Sequence, residues 1–356
     1  MMNLFYEDQL SKLQSDIDLK EHSFSTDGEK HLSLVKKLGA LFKNQFEEQQ
    51  KSRKEFRPAG EWLDYNNEKS FLYGALANGH HEEASSLLSN FWRNKLGLIV
   101  KEYAKFEALE TNDQSSVQHF KRSIGRNFLI WKDLFHLPVS ALKLPSVVGN
   151  PWGLRIENEL ITPKAIRFHT NALQIKNLLD NTEEKTVAEI GGGYGGLALY
   201  LNREIKGLKY FNFDLPETLL LASYYLTLSL PDKKVFLYEG GEITPEIIKN
   251  HDIFMLPNYL IDKFPSKAVS VFFNSFSLSE MPPETNAAYI NEISRITKSY
   301  FFHNNMDRKG VVNRGFERIP ASMYPIDPKK FTLLSAHYDL FHGHFGDYKE
   351  FLYKVN

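Results

Sequence analysis

Residues 189–196 read Glu-Ile-Gly-Gly-Gly-Tyr-Gly-Gly, and they constrain the fold more than any other stretch of the chain. Val187, Ala188 and Ile190 in front of them form a short apolar run, and residues 197–203 behind them are helical in pattern. A buried strand is therefore turning tightly into a helix. Glycine permits the backbone of such a turn and lets a ligand approach it. The helix start then presents unused N–H groups and the positive end of its dipole. Gly191, Gly193 and Gly196 also satisfy G-x-G-x-x-G, which is weak evidence alone. Here a second strand, residues 210–214, ends in Asp214. A carboxylate about 20 residues beyond such a loop accepts hydrogen bonds from ribose hydroxyls. Together these features describe a site for an adenosine-containing cofactor.

The alternation continues through a helix at 216–230 and strands at 235–238, 253–256 and 268–274. A helix at 283–297 and a strand at 300–303 follow. Strands alternating with helices imply parallel βαβ units, and so an α/β fold with a doubly wound sheet. The tail departs from this. Residues 331–341 and 348–355 read as two strands joined by the turn Gly343-His344-Phe345-Gly346, an antiparallel hairpin.

The first 150 residues look helical. Leu10, Leu13 and Ile17 fall at helical spacing, as do Leu34, Val35, Leu38, Leu41, Phe42 and Phe46. Further amphipathic patterns surround Ala84 to Trp92 and Phe120 to Trp131. The charged stretch 47–57 reads as a helix end running into a loop closed by Pro58-Ala59-Gly60. Prolines and glycines between Pro138 and Gly153 mark the best boundary, giving a helical region 1–150 and an α/β domain 151–356. Thr162-Pro163 then reads as the start of a helix running to about Leu179.

Composition narrows the partners. With 43 basic and 44 acidic residues the chain lacks the basic footprint of a nucleic-acid binder. It has no cysteine, which excludes disulfides, thiolate metal sites and a cysteine nucleophile. Its apolar runs, such as 96–100, are far shorter than the roughly 20 residues of a membrane span, and residues 1–22 do not read as a signal peptide. A cytoplasmic chain with no membrane span is the expectation.

Glu189 bears on which cofactor. A carboxylate two residues before the first glycine would repel a pyrophosphate, whereas it suits the ammonium and sulfonium groups of S-adenosylmethionine (SAM). The residues 189–198 (EIGGGYGGLA), 214–217 (DLPE), 220–226 (LLASYYL) and 274–281 (NSFSLSEM) resemble the sugar O-methyltransferases, a branch of the class I SAM-dependent enzymes. The likeness extends over residues 60–356, through Tyr289, Ile293 and the strand end His303-Asn304-Asn305. It implies a Rossmann-like methyltransferase sheet closed by the C-terminal strand pair. It also implies S-adenosylhomocysteine as product and a hydroxyl of a saccharide or other sugar-containing small molecule as acceptor. The N-terminal helices would form a lid, set acceptor specificity and offer a homodimer contact.

On this reading Glu189, Gly191, Gly193, Tyr194, Gly195, Asp214, Leu215 and Asn274 hold the cofactor. His169, Ser275 and Asn305 face the acceptor, and Glu280 or His303 takes the hydroxyl proton. Plainer readings stand beside these: Glu280 as a helix-start acid, His303 as a hydrogen-bonded structural histidine, His169 as a partly buried surface one, Tyr194 as core, and Asn274 and Asn305 as turn caps. Arg93 and Arg126 could reach a phosphate or simply lie along the surface. His337, His342 and His344, with Asp339 and Asp347, suggest a metal only by composition, so a divalent ion is not expected. Two rivals remain: an NAD(P)-dependent oxidoreductase using the same loop, and a methyltransferase-like binding module without chemistry.

Overall fold

A computed structural model of the chain describes residues 2–22, 28–60, 62–63, 70–98, 103–180, 182–311, 317–341 and 347–356. The apolar runs 187–190, 210–213 and 269–273 become the strands β4 (Thr186–Ile190), β5 (Lys209–Asp214) and β8 (Val269–Ser275) of one sheet. With β6 (Val235–Leu237), β7 (Ile253–Pro257) and β9 (Thr297–Met306) they are all parallel. Such strands need apolar side chains on both faces because helices cover both. Two further strands, β12 (Phe331–Tyr338) and β13 (Tyr348–Val355), complete an eight-stranded sheet in the order β12-β13-β9-β8-β4-β5-β7-β6. The small pair β10 (Gly310–Val311) and β11 (Glu317–Arg318) stands apart from it.

The fold is α/β, a doubly wound Rossmann-like sheet with a helical N-terminal region. Two details sharpen the expected topology. The C-terminal strands form the expected antiparallel pair at the sheet edge, with β13 next to β9 and β12 outermost. Strand β7 in turn lies inside β6, next to β5. The chain moves outward from β4 to β5 and then returns to β8 on the other side of β4. The crevice between the ends of β4 and β8 is therefore the switch point at which open α/β sheets bind ligands. The turn at 343–346 lies outside the described residues.

The α-helices among the described residues are α1 (Met2–Lys12), α2 (Gly28–Lys51), α3 (Ser70–Ala77), α4 (His81–Ser89), α5 (Tyr103–Glu110), α6 (Gln114–Phe135), α7 (Ala165–Leu179), α8 (Gly196–Glu204), α9 (Pro216–Ser229), α10 (Pro245–Asn250) and α11 (Pro283–Ile296). Alternation along each strand sorts the cores. Val187, Tyr210, Val271, Phe273 and Phe302 face α7, α8, α9 and the N-terminal helices. Ala188, Ile190, Phe211, Phe213, Phe272 and Phe301 face α11 and the aromatic C-terminal strands.

The N-terminal region is continuous with this architecture. Ile17, at helical spacing after Leu13, belongs instead to β1 (Ser15–Asp18), which pairs with β2 (Gly153–Ile156), itself paired with β3 (Glu159–Ile161). Partners so distant in sequence leave no local signal. The break expected near residue 150 is thus bridged by a three-stranded sheet, and the first core runs from α2 to β9 without interruption. Arg93 donates to the carbonyls of Leu19, Asn150 and Pro151, locking the same junction. Helix α7 starts at Ala165 rather than Pro163, within the usual latitude of a helix end.

Candidate active site

The loop between β4 and α8 takes the backbone its glycines permit. Gly191, Gly193 and Gly195 have φ of +73°, +60° and +91°. A Cβ on Gly191 would lie 2.4 Å from the Ser277 hydroxyl, and one on Gly195 would meet Leu226 at 2.8 Å. A Cβ on Gly193 would meet nothing within 4 Å, so this residue faces open space. Asp214, at the end of β5, accepts from the Gly193 N–H at 3.0 Å and from the Leu215 N–H at 2.8 Å. The acid thus shapes the loop it was expected to serve.

Beside the loop lies an open cleft of about 440 Å³, adjoining solvent included. Its floor is Ile190, Gly191, Asp214 and Leu215, and its far wall is Ser277, Met281, Pro282, Thr285 and Tyr289. The roof is Arg57, Pro58, Ala59 and Trp62. The turn Lys54–Phe56 docks the roof. Phe56 packs at a tilt against Tyr289 with ring centres 5.2 Å apart, and the Phe56 carbonyl accepts from Asn258 Nδ2 at 2.7 Å. Asn258 follows β7, also lines the cleft, and donates to the Tyr289 hydroxyl at 2.7 Å. Its Oδ1 is buried with no hydrogen-bond partner in the protein. A buried acceptor without a donor is costly, and a ligand N–H would satisfy it. The roof residues and Asn258 escaped the sequence reading. The loop 58–60 was visible only as punctuation, and Asn258 follows the weakest of the expected strands.

Glu189 lies beneath the loop on the opposite face from the cleft floor. It is buried and accepts from the Tyr210 hydroxyl. Burial raises its pKa to about 8, with Asp214 adding to the rise and the Tyr210 hydrogen bond and the Arg167 charge opposing it. A cation arriving over the loop would reverse part of that shift.

No family model and no curated protein matches the chain. Several solved structures overlay on part of it. One is a mitomycin 7-O-methyltransferase, 15% identical, with a TM-score of 0.38 over 54% of this chain and 55% of that one. Another is a magnesium protoporphyrin IX methyltransferase from Synechocystis PCC 6803 with bound SAM, 13% identical, with a TM-score of 0.37 over 54% of this chain and 81% of that one. A third is a [4+2]-cyclase, 13% identical, with a TM-score of 0.39 over 54% of this chain and 82% of that one. This chain thus spans little more than half the length of the first. The fold assignment rests on the strand order itself.

Several expected ligand-binding groups are committed elsewhere. Asn274 is fully buried and donates to the Ile190 carbonyl at 2.9 Å and the Ser277 hydroxyl at 2.5 Å, while accepting from Asn305 at 2.8 Å. Asn305 accepts in turn from the Ser279 N–H at 3.3 Å. The two amides fix the ends of β4, β8 and β9 and do not line the cleft. His303 is sealed among Phe301, Tyr324, Phe351 and Tyr353, and burial pushes its pKa down to about 3. An imidazole so enclosed is not placed to take a proton from a ligand in the cleft. His169 accepts from the Trp131 indole at 3.1 Å and faces Glu204 at 3.4 Å, inside the α6–α7–α8 contact. Tyr194 packs against Phe91, Trp92, Phe168 and Tyr225 as core.

Glu280 ends the single turn Ser277–Glu280 and is buried, while its neighbours Met281 and Pro282 line the cleft. The Ser275 hydroxyl is buried with no hydrogen-bond partner in the protein. Towards the C-terminal strands, Asn304 donates to Asp339 at 2.6 Å and Gln174 donates to Glu350 at 3.0 Å. Burial, reinforced by Asp339, raises the Glu350 pKa to about 7. His337 approaches Glu350 at 3.6 Å, yet among the described residues no three side chains are placed to hold a metal. His342 and His344 lie outside the described residues. No helix of the described residues is long and apolar enough to cross a membrane.

Proposed function

We propose that the protein is a SAM-dependent O-methyltransferase acting on a hydroxyl of a saccharide or sugar-containing small molecule. The observation that carries the donor assignment is the pairing of Glu189 beneath the loop with Asp214 and the cleft beside it. An adenosine end suits the cleft beside Asp214, and a cationic end over the loop would favour the ionised form of Glu189, which a dinucleotide pyrophosphate would disfavour. Asp214 would accept from ribose hydroxyls, Asn258 Oδ1 would take the N–H it lacks, and Leu215 and Met281 would offer apolar surface to the adenine. SAM, when bound, supplies an electrophilic methyl group. The chain's own tasks are to hold an acceptor hydroxyl in line, exclude water beneath the Arg57–Trp62 roof, and remove the hydroxyl proton. Glu280, adjoining the cleft wall, is the candidate base.

The test is binding before turnover. SAM and S-adenosylhomocysteine should raise the thermal midpoint of the purified protein, and Asp214→Ala should remove most of that shift. Stabilisation by NAD or NADP alone would overturn the donor assignment. Glu280→Gln should abolish methylation while retaining S-adenosylhomocysteine affinity, and unchanged turnover would remove Glu280 from the chemistry.

A further inference from the structure

The large sheet ends on two unlike edges. At one side β6 is three residues long. At the other β12 runs for eight residues, and the only strand it pairs with is β13. Strands β13, β9 and β8 stand between it and the β4 loop, so this edge is remote from the cleft. Alternation fixes which backbone groups it leaves open. The Asp339 N–H donates to the Tyr348 carbonyl at 3.1 Å. Counting back along the antiparallel register, His337 and Ser335 face β13 in the same way, while Ala336 and Tyr338 turn their N–H and C=O groups outward.

The side chains along this edge are apolar. Leu333 and Leu334 lie at a bulge in the β12–β13 register. They and Tyr338 are each at least half exposed, and Leu340 is exposed just beyond the strand. Among the described residues, these four are half of the exposed large apolar side chains. Chains that stay single protect such an edge with lysines, other charges or proline. Residues 331–338 hold no Asp, Glu, Lys, Arg or Pro. Of the usual protections the bulge is present, and it leaves two leucines in solvent. The charges lie just outside, where the exposed Lys329 and Lys330 precede the strand. A second copy laid parallel would set these lysines side by side. Laid antiparallel, it separates the two pairs by roughly 25 Å along the ladder. That exceeds the screening length of about 8 Å at physiological salt.

We propose that β12 is the contact between two copies of this chain, each β12 pairing antiparallel with the other about a two-fold axis, so that two eight-stranded sheets become continuous. Identical strands in this arrangement offer each other the same donors, acceptors and leucines. No charge of the strand is buried and no lysine meets its like. Such a contact closes at two copies and leaves β12 no longer an edge. It does not depend on which ligand the cleft holds.

Sedimentation equilibrium of the purified full chain over the micromolar range tests this. Wild type should show twice the 41.2 kDa mass of the chain. Ala336→Pro removes an N–H that a single chain leaves open, and proline is tolerated at such edge positions. Leu334→Lys sets a charge in the middle of the contact at an exposed site. Both variants should sediment as single chains while keeping the circular dichroism of the folded protein. If Ala336→Pro fails to fold, Leu334→Lys decides. In wild type the amides of Ala336 and Tyr338 should also exchange more slowly as protein concentration rises. A wild type that remains a single chain would overturn the proposal. So would a dimer that survives both substitutions, which would put the contact elsewhere, for instance on the N-terminal helices. Open-ended aggregates that both substitutions abolish would overturn the closed pair.

Discussion

At the scale of single residues, Glu189 carries the most informative proton. Its folded pKa of about 8 means that it is mostly protonated at pH 7 in the ligand-free protein. A bound cation favours the carboxylate, so binding should release a proton, and SAM affinity should rise with pH between 6 and 8. Titrations in buffers of different ionisation enthalpy will detect the proton, and Glu189→Gln should abolish both effects. Stability responds with its own sign. A carboxyl raised from 4.5 to about 8 binds more protons folded than unfolded between those values, so its contribution is lost as pH rises through them. The depressed His303 works the other way, its contribution present above 6.5 and lost as pH falls towards 3. Asn305→Ala should cost about 1–3 kcal/mol in urea unfolding, because it leaves the buried Asn274 Oδ1 without its donor.

At the scale of elements, the loop between β4 and α8 separates folding from binding. Gly191 combines a positive φ with a Cβ that would strike Ser277, whereas Gly193 has a positive φ and open space. Gly191→Ala should therefore lower the unfolding free energy by more than the roughly 1–3 kcal/mol typical of backbone strain alone. Gly193→Ala should stay within that range and lose ligand affinity instead, which paired urea and calorimetric measurements will show. The loop was legible in the sequence because everything it needs is local: an apolar run, five glycines that permit the turn, and a helix. The same holds for β5, β8 and α11. Ile17 was misplaced because its partner Leu154 lies on a distant strand. Asn274 and Asn305 were assigned to ligands because a polar residue at a strand end looks the same from sequence whether it faces a cleft or a neighbouring amide. Arg57, Trp62 and Asn258 were missed because only tertiary folding brings them over the loop.

At the scale of the whole molecule, the N-terminal region is roof and foundation at once. Helix α2 lies along α9, with Gln45 donating to the Tyr238 carbonyl at 2.8 Å and the Tyr259 hydroxyl donating to Glu48 at 2.8 Å. Asn258→Ala removes the anchor of Phe56, and it should loosen the roof and weaken adenosine ligands together, measurable as increased protease sensitivity near Arg57 and reduced affinity. The β1–β2 ladder, with Arg155 clamped on Asp18, ties the start of the chain to the residues that follow the helical region. A swing of the entire helical region would have to unzip that ladder and free Arg93 from its carbonyls, so movement of the short span around Pro58 is the expected response to a ligand. Hydrogen exchange makes the distinction visible. Amides of Ile17 and Leu154 should exchange slowly and identically with and without S-adenosylhomocysteine, while those near Phe56 and Arg57 slow on binding. That pattern would mean that a ligand is admitted by local movement of the roof, with the β1–β2 ladder left closed.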